Sequence, residues 1–272
     1  MTGKLNIVGI GPGSTELITP MAKNAIESAD IILGYKPYVE MVNALITHQQ
    51  VKSSGMTREV DRARLAVEHA MDGKTVTVLS SGDAGIYAMG SIVYEVLKDK
   101  GWQGNNTFPV QMVPGITAAN SCASLVGTPL GHDACTISLS DLLTPWSLIE
   151  KRIEAAAVAD FAITFYNPRS RRRIEQIEIA QRILLAHRSP DTPVAIIDNA
   201  YRPEQRIEIS DLASFTQCEF AMTAAVIIGN SQSYRFGDLI ITPRGYDNKY
   251  HLDSGQVKLG QQRGRTLQTE ES

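Results

Sequence analysis

The stretch Leu5-Asn6-Ile7-Val8-Gly9-Ile10-Gly11-Pro12-Gly13 sets the frame for the rest of the chain. An apolar run that ends on glycines at alternating positions predicts a buried parallel strand followed by a tight loop. In such a loop, bare backbone approaches either a neighbouring segment or a ligand. We therefore expect a binding site at this loop, although a purely structural turn would have the same pattern.

Two familiar phosphate-binding loops do not fit this stretch. The dinucleotide fingerprint requires a glycine at position 14, where the chain has Ser14, and the Gly-Lys-Ser/Thr of a P-loop does not follow. Pro12 also lacks the backbone N–H that either loop would offer to a phosphate. The loop is thus expected to shape a cleft without cradling phosphate.

Length and composition predict a globular protein of two medium-sized domains. The chain has 272 residues, of which 43% are hydrophobic and 20% charged. We find neither an apolar run of the ~18 residues that a membrane span needs nor a secretory signal, so we expect a cytoplasmic protein without membrane association.

Cysteine spacing and net charge exclude several other classes. Cys122, Cys135 and Cys218 are scattered without a C-x-x-C pair, which argues against a disulfide framework and a zinc or iron–sulfur site. A net charge of −3 provides no general basis for binding nucleic acid. No metal site is predicted.

A unit of strand, small-residue loop and helix recurs through the first half. Further apolar strands run into the loops at 34–38, 80–87 and 114–120, each followed by a helical pattern. This alternation predicts a parallel sheet whose loops, and whose ligands, gather at the carboxyl ends of the strands. We assign residues 1–115 to this N-terminal α/β domain.

The second half has a different pattern. A strong apolar strand over 161–166 ends at Asn167-Pro168-Arg169-Ser170, and closely spaced strands then follow. Their short connections favour a mixed sheet, so we assign residues 116–246 to a C-terminal α/β domain. Residues 247–272 are polar without an apolar period and are expected to form a mobile tail.

Taken in order, the loops resemble those of the tetrapyrrole methylases, which bind S-adenosylmethionine. The matching segments are Gly9-Ile10-Gly11-Pro12-Gly13, Ser81-Gly82-Asp83, Pro114-Gly115-Ile116-Thr117-Ala118 and Phe165-Tyr166-Asn167-Pro168. Within that family the chain looks most like the C17-methyltransferases of cobalamin synthesis, through segments such as Gly34-Tyr35-Lys36, Ser138 to Trp146 and Thr242 to Tyr246.

The resemblance implies a fold, a reaction and an assembly. The fold would be two α/β domains with cofactor and substrate in the cleft between them, usually as a homodimer. The reaction would be methylation of C17 of precorrin-3B or cobalt-factor III, coupled to contraction of the ring.

The resemblance also implies which residues contact S-adenosylmethionine. These are Pro12, Ser81, Gly82, Asp83, Ile86, Thr117, Ala118, Tyr166, Asn167 and Asn199. A helix N-cap is the alternative interpretation of Asp83 and Thr117, and turn chemistry at a strand end is that of Tyr166 and Asn167.

A tetrapyrrole carries many carboxylates, which require fixed donors and cations. The candidate substrate-binding residues are Gly11, Tyr35, Lys36, Arg58, Tyr87 and Arg169. Arg171, Arg172 and Arg173 follow on one helical segment, where successive side chains point different ways, so most of them are expected in solvent.

Ring contraction requires proton movement, for which His132, Asp133 and Asp141 are the candidates. A structural histidine, or a capping role for Asp141, would fit the same positions. Other readings of the whole chain stay open: a different corrin-ring methylase, a ribose or diphthine methylase, or a non-catalytic tetrapyrrole carrier. A nicotinamide oxidoreductase is disfavoured because no acidic residue closes the second strand, which ends at Gly34.

Overall fold

The computed structural model describes residues 3–170, 173–221 and 223–268. They form two compact units. The first comprises Met1–Leu125, Ile197–Ile207 and Thr223–Ala225, and the second comprises Val126–Ile196, Glu208–Met222 and Val226–Ser272. The first unit therefore continues past the predicted boundary at residue 115 and regains two short segments from the second half.

The first unit alternates strands and helices. Its elements are β1 (Lys4–Gly9), α1 (Pro20–Glu27), β2 (Ile31–Tyr35), α2 (Lys36–Met41), β3 (Gln50–Ser54), α3 (Glu59–Met71), β4 (Thr75–Ser80), α4 (Met89–Asp99), β5 (Val110–Val113) and α5 (Ala118–Leu125). The strands form one sheet in the order β3-β2-β4-β1-β5, and every neighbouring pair is parallel. The predicted parallel sheet is confirmed.

Sequence period explains how this sheet is covered. Leu5 and Ile7 of β1 pack in a cluster with α3 and α4, whereas Val8 and Ile10 pack in a cluster with α1. Side chains alternate across a strand, so β1 buries both faces. Because the chain leaves β1 toward one face and β4 toward the other, a crevice is expected where the two loops part, at the carboxyl ends of the strands.

The second half of the chain forms a five-stranded and a three-stranded sheet. Its elements are β6 (Gly127–Thr128), β7 (Ala134–Ser138), α6 (Trp146–Val158), β8 (Ala162–Tyr166), α7 (Glu175–Leu185), β9 (Pro193–Asp198), β10 (Arg206–Asp211), β11 (Ala225–Ile228), β12 (Tyr234–Phe236) and β13 (Leu239–Ile241). Five strands run in the order β10-β9-β11-β8-β7, with β7 and β8 parallel. The order β12-β13-β6 combines an antiparallel and a parallel pair.

The segment after Tyr246 contains local structure that its polar composition does not predict. Tyr246–Asn248 is a 3-10 helix, and Tyr250 forms an isolated bridge with Val257. Mobility of this segment stays a prediction.

No helix among the described residues combines the length and the apolar character needed to cross a membrane.

Candidate functional site

The first edge, as we name it, consists of the loops 9–14, 80–88 and 113–118, which follow β1, β4 and β5. Two of these loops are joined by backbone hydrogen bonds. Gly11 N donates to Gly82 O at 3.0 Å, and Gly82 N donates to Gly11 O at 2.8 Å. Both glycines have positive φ, 72° and 66°, a conformation that residues with a Cβ rarely adopt. The alternating glycines of the opening stretch thus shape a loop-to-loop junction.

The third loop packs backbone to backbone on this junction. A Cβ placed on Gly115 would lie 2.1 Å from Gly82 O, and one placed on Gly9 would lie 2.8 Å from Gly115 N. Gly9, Gly82 and Gly115 are therefore so close together that no side chain fits between them. Glycine is required here by close approach as well as by dihedral angle.

The carboxylate of Asp83 ties two of the loops together. One oxygen accepts the backbone N–H of Gly85 at 2.8 Å, and the other accepts that of Gly115 at 3.0 Å. Thr117 Oγ1 accepts the N–H of Asn120 at 3.1 Å, which caps α5. The cap interpretation is confirmed for Thr117 but not for Asp83, because the residue that precedes α4 is Ala88 and Asp83 instead bonds two loops. Cofactor binding would be an additional role for both residues.

A returning segment of the first unit holds the same loops by a side chain. Arg202 Nε donates to Pro12 O at 2.6 Å, and its Nη2 donates to Ser81 Oγ at 3.3 Å. A Cβ on Gly13 would lie 2.8 Å from Arg202 Nε, so the arginine stem lies flat on that glycine. Sequence reasoning missed Arg202. The available signal was its position just after the buried strand that precedes Asn199.

The side chain of Asn199 forms a hydrogen bond within the first unit. Its Oδ1 accepts from Thr223 Oγ1 at 2.8 Å, and its φ of 49° is left-handed. Asn199 belongs to the first unit. The same unit contains the predicted cofactor residues of the first edge, which are Pro12, Ser81, Gly82, Asp83, Ile86, Thr117 and Ala118.

Burial shifts the pKa of several groups of the first unit, among them two arginines and a tyrosine. It lowers the pKa of Arg202 and of Arg62, and it raises the pKa of the Tyr38 hydroxyl. The Arg202 charge acts on Tyr38 in the opposite direction, favouring the phenolate. Arg62 donates to Ser54 Oγ and to Gly55 O, at the carboxyl end of β3. Sequence reasoning singled out neither arginine.

The predicted substrate cations of the first unit also follow strand ends. Lys36 comes directly after β2 and lies 4.0 Å from Glu40, while Arg58 precedes α3 and lies 2.6 Å from Asp61. Both pairs are exposed, so they contribute little stability and leave the cations available to an anionic ligand.

The apolar and aromatic candidates of the first unit are exposed to different degrees. Tyr35 packs edge to face on Tyr38, with 5.2 Å between ring centroids. Ile86 and Tyr87 are exposed on the loop after β4. These exposed side chains offer apolar surface beside the glycine junction.

The second edge, as we name it, consists of the loops 138–141 and 166–170, which follow β7 and β8. Side chains hold it together. Asn167 Nδ2 donates to Ser138 Oγ at 3.0 Å, and Arg173 Nη1 donates to Leu139 O and Asn167 O at 2.9 and 3.1 Å. Tyr166 lies beside Asn167, and its carbonyl accepts from Leu139 N.

Arg173 differs from the expectation for the basic run at 171–173. Its side chain is only 13% exposed and lies 3.8 Å from Asp141. The two carbonyls that it bonds explain why it points inward rather than into solvent. Arg171 and Arg172 lie outside the described residues.

Arg169 is partly buried at the second edge. Its Nη2 lies 3.7 Å from Glu178, and its guanidinium lies 5.3 Å from the centre of the Phe220 ring. Its Nε is buried and donates a hydrogen bond to no described residue. An unsatisfied buried donor fits a residue that completes its hydrogen bonds with a ligand.

The three predicted catalytic residues do not form one cluster. His132 and Asp133 precede β7, with Asp133 N donating to His132 Nδ1 at 2.7 Å, whereas Asp141 lies past the other end of that strand. Five residues of strand separate the two positions by roughly 17 Å. Asp141 instead accepts from Gln176 at 3.2 Å. Only Asp141 therefore shares an edge with Tyr166 and Asn167.

Metal-ligating side chains do not gather anywhere in the part of the chain that the structure describes. Within those residues there is no group of three His, Cys, Asp or Glu arranged to hold an ion. The predicted location of ligands between two domains stays a prediction.

Several known methyltransferases are similar to this chain over most of its length. The cobalt-factor III methyltransferase of Priestia megaterium is 55% identical over 95% of this chain, which spans about half (48%) of that relative's length. The probable cobalt-factor III C(17)-methyltransferase of Salmonella typhimurium is 45% identical over 89% of this chain and 99% of the relative. The crystal structure of the methyltransferase CobJ is 37% identical, covers 89% of this chain and 100% of its own, and has a TM-score of 0.82.

The signature of the Tetrapyrrole (Corrin/Porphyrin) Methylases matches residues 4–216, a range that includes both edges. Members of this family use S-adenosylmethionine as methyl donor. The match covers most of the sequence, and the resemblance predicted from the loops is confirmed. The chain belongs to the tetrapyrrole (corrin/porphyrin) methylase family.

Proposed function

We propose that this protein transfers a methyl group from S-adenosylmethionine to C17 of cobalt-factor III or precorrin-3B, coupled to ring contraction in cobalamin biosynthesis. The main support is the Salmonella relative of that name, which this chain matches over almost its full length. A further support is that three of the four segments that carry the family resemblance converge on the first edge of one sheet.

The donor fits the residues of the first edge. Exposed Ile86 and Tyr87 offer apolar surface, and the loops present backbone polar groups beside the glycine junction. Pro12, Ser81, Gly82, Asp83, Thr117 and Ala118 would hold the donor there. Tyr166, Asn167 and Asn199 are proposed to complete its binding.

Alignment is the main task of such a protein. When bound, S-adenosylmethionine would supply a methyl group on a positively charged sulfur, whose bond to the methyl carbon breaks as the new carbon–carbon bond forms and leaves the neutral thioether S-adenosylhomocysteine. An already activated methyl group needs correct distance and angle more than a strong base. A rigid junction of glycine backbones suits that task because it cannot relax as a flexible side chain can.

The remaining candidates are assigned to the tetrapyrrole. Gly11, Tyr35, Lys36, Arg58, Tyr87 and Arg169 are proposed to bind its ring and its carboxylates. For the proton transfers of ring contraction, the placement of Asp141 at the second edge favours it over His132 and Asp133. A homodimer in the cytoplasm, without nucleic-acid or membrane partners, completes the proposal, and light scattering of the purified protein tests the dimer.

The decisive experiment is anaerobic incubation of the purified protein with methyl-labelled S-adenosylmethionine and either cobalt-factor III or precorrin-3B. We expect one of the two tetrapyrroles to gain the labelled methyl group at C17 and to change its absorption spectrum. Label at another carbon would identify a different corrin-ring methylase. Tetrapyrrole binding without transfer would identify a carrier and contradict the proposal.

A further inference from the structure

Arg202 has more hydrogen-bonding capacity than its protein contacts use. A guanidinium carries donors on Nε and on two terminal amino groups. Nε is used by Pro12 O and Nη2 by Ser81 Oγ. Among residues 3–170, 173–221 and 223–268, no group accepts from Nη1, and no carboxylate lies within ion-pair distance of this arginine.

Two buried arginines, Arg62 and Arg188, offer a comparison with Arg202, which is half-buried. Arg62 directs Nε, Nη1 and Nη2 at Ser54, Gly55 and Met89. Arg188, in the second unit, directs both terminal amino groups at backbone carbonyls, at 2.6 Å to Gly229 O and 2.5 Å to Phe161 O. The terminal amino groups of Arg62 and Arg188 thus all have acceptors, although Nε of Arg188 is buried without one, whereas Nη1 of Arg202 has no acceptor among the described residues.

The two acceptors of Arg202 are neutral, so they leave its positive charge uncompensated. Withdrawing a cation from water is costly unless an anion or several hydrogen bonds replace the lost hydration. Burial accordingly lowers the pKa of Arg202. A carboxylate is the group whose geometry and charge best match a guanidinium with a free amino group.

We propose that Arg202 is a ligand-binding residue, in which Nε and Nη2 fix the loops after β1 and β4 while Nη1 binds a carboxylate of a ligand. The identity of the ligands rests on the proposed function. The carboxylate belongs either to the methionine portion of the methyl donor or to an acetate or propionate of the tetrapyrrole.

The test compares two nucleosides that differ in the group of interest. S-adenosylhomocysteine has the amino-acid carboxylate, whereas 5′-methylthioadenosine lacks it. Calorimetry measures both affinities for wild type, Arg202→Met, which keeps a long apolar stem, and Arg202→Lys, which keeps stem and charge. Arg64→Met, an exposed arginine of α3, is the matched control and should change neither affinity.

If the carboxylate belongs to the methyl donor, Arg202→Met should lower the affinity for S-adenosylhomocysteine about tenfold or more and leave the affinity for 5′-methylthioadenosine unchanged. For a tetrapyrrole carboxylate, both nucleosides should bind as in wild type, while the Kd for cobalt-factor III, measured by absorbance titration without turnover, should rise by a similar factor. The proposal is overturned if both nucleosides weaken equally, which would mean that Arg202 only fixes the loops, or if nothing changes.

The test gives a result even if the proposed function is wrong or one variant does not fold. The nucleoside affinities do not require turnover, so they remain informative even if the wild type methylates neither cobalt-factor III nor precorrin-3B. If thermal denaturation shows that Arg202→Met is unfolded, Arg202→Lys replaces it. The lysine variant should then show a smaller loss in the same ligand, because one point charge replaces the planar fork.

Discussion

The two edges are built in different ways although both lie at the carboxyl ends of parallel strands. At the first edge, Gly9, Gly82 and Gly115 meet backbone to backbone, and the loops exchange main-chain hydrogen bonds. At the second edge, the loops are joined through the side chains of Asn167 and Arg173. Both edges contain backbone and side-chain bonds, but the closest contacts of the first edge are between glycine backbones, whereas side chains make most of the contacts between the loops of the second.

This difference predicts different responses to mutation. Adding a single methyl group should disrupt the first edge, because backbone atoms cannot move aside as the end of a flexible side chain can. At the second edge, removing one side chain should loosen the loops and leave the strands intact. The two tryptophans allow each unit to be followed, because Trp102 lies in the first and Trp146 in the second.

The largest effect is expected from Gly115→Ala. The new Cβ would lie 2.1 Å from Gly82 O, so the loops must separate, at a cost of about 3 kcal/mol or more. Urea unfolding followed by Trp102 fluorescence in a Trp146→Phe background measures this loss. Gly55→Ala is the control, because a Cβ there meets nothing within 4 Å. Equal stability of the two variants would show that the glycine junction is not tight.

A smaller effect is expected from Arg173→Met at the second edge. The variant loses donors to Leu139 O and Asn167 O, which should destabilise the second unit by about 1–3 kcal/mol. Trp146 fluorescence in a Trp102→Phe background reports the change. The exposed Arg182→Met on α7 serves as control. A loss as large as that of Gly115→Ala would contradict the distinction between the edges.

The smallest effect is expected in the pH dependence of stability, through the buried thiol of Cys122 on α5. Burial raises the pKa of Cys122, on α5, from 9.0 to about 12. The unfolded thiol loses its proton first, so the stabilisation is complete below pH about 9 and declines as the pH rises toward 12. Between pH 8 and pH 10 we expect a loss of about 1 kcal/mol that Cys122→Ala does not show.

Alkylation provides an independent readout of the same thiol. Burial also raises the pKa of Cys135, on β7, but this residue is less enclosed than Cys122. Iodoacetamide at pH 8 should therefore modify Cys135 before Cys122. The reverse order would contradict the burial of Cys122 on α5.

Much of the fold was predictable because its signals are local. The helix over Glu59–Met71 and the capped start of α1, where Thr19 Oγ1 accepts from Ala22 N, follow from nearby residues. The strand-end loops that predicted a site do meet at the first edge, since parallel strands bring their carboxyl ends together. These predictions needed only the period of apolar residues and the position of glycines.

Other features were not predictable because they depend on contacts between distant segments. Arg202 reaches Pro12 across 190 positions, and Arg173 turns inward because two carbonyls of the second edge happen to lie within its reach. His132 and Asp141 were candidates for the same proton transfers, but an intervening strand separates them. Residues at opposite ends of a strand are necessarily far apart in space, because an extended chain rises about 3.3 Å per residue. The spatial distance between residues on either side of a loop depends instead on how the chain folds.

The sequence by itself determined the α/β fold, the family and the loops that meet at strand ends, because apolar period, helix caps and glycine positions act over a few residues. Only the tertiary structure decided which polar groups serve those loops. In the folded chain both carboxylate oxygens of Asp83 accept backbone N–H groups, whereas Nη1 of Arg202 has no acceptor among the described residues. The physical reason is that a charged side chain is satisfied by whatever the folded chain brings within about 3 Å of it, and that neighbourhood is a property of the whole fold.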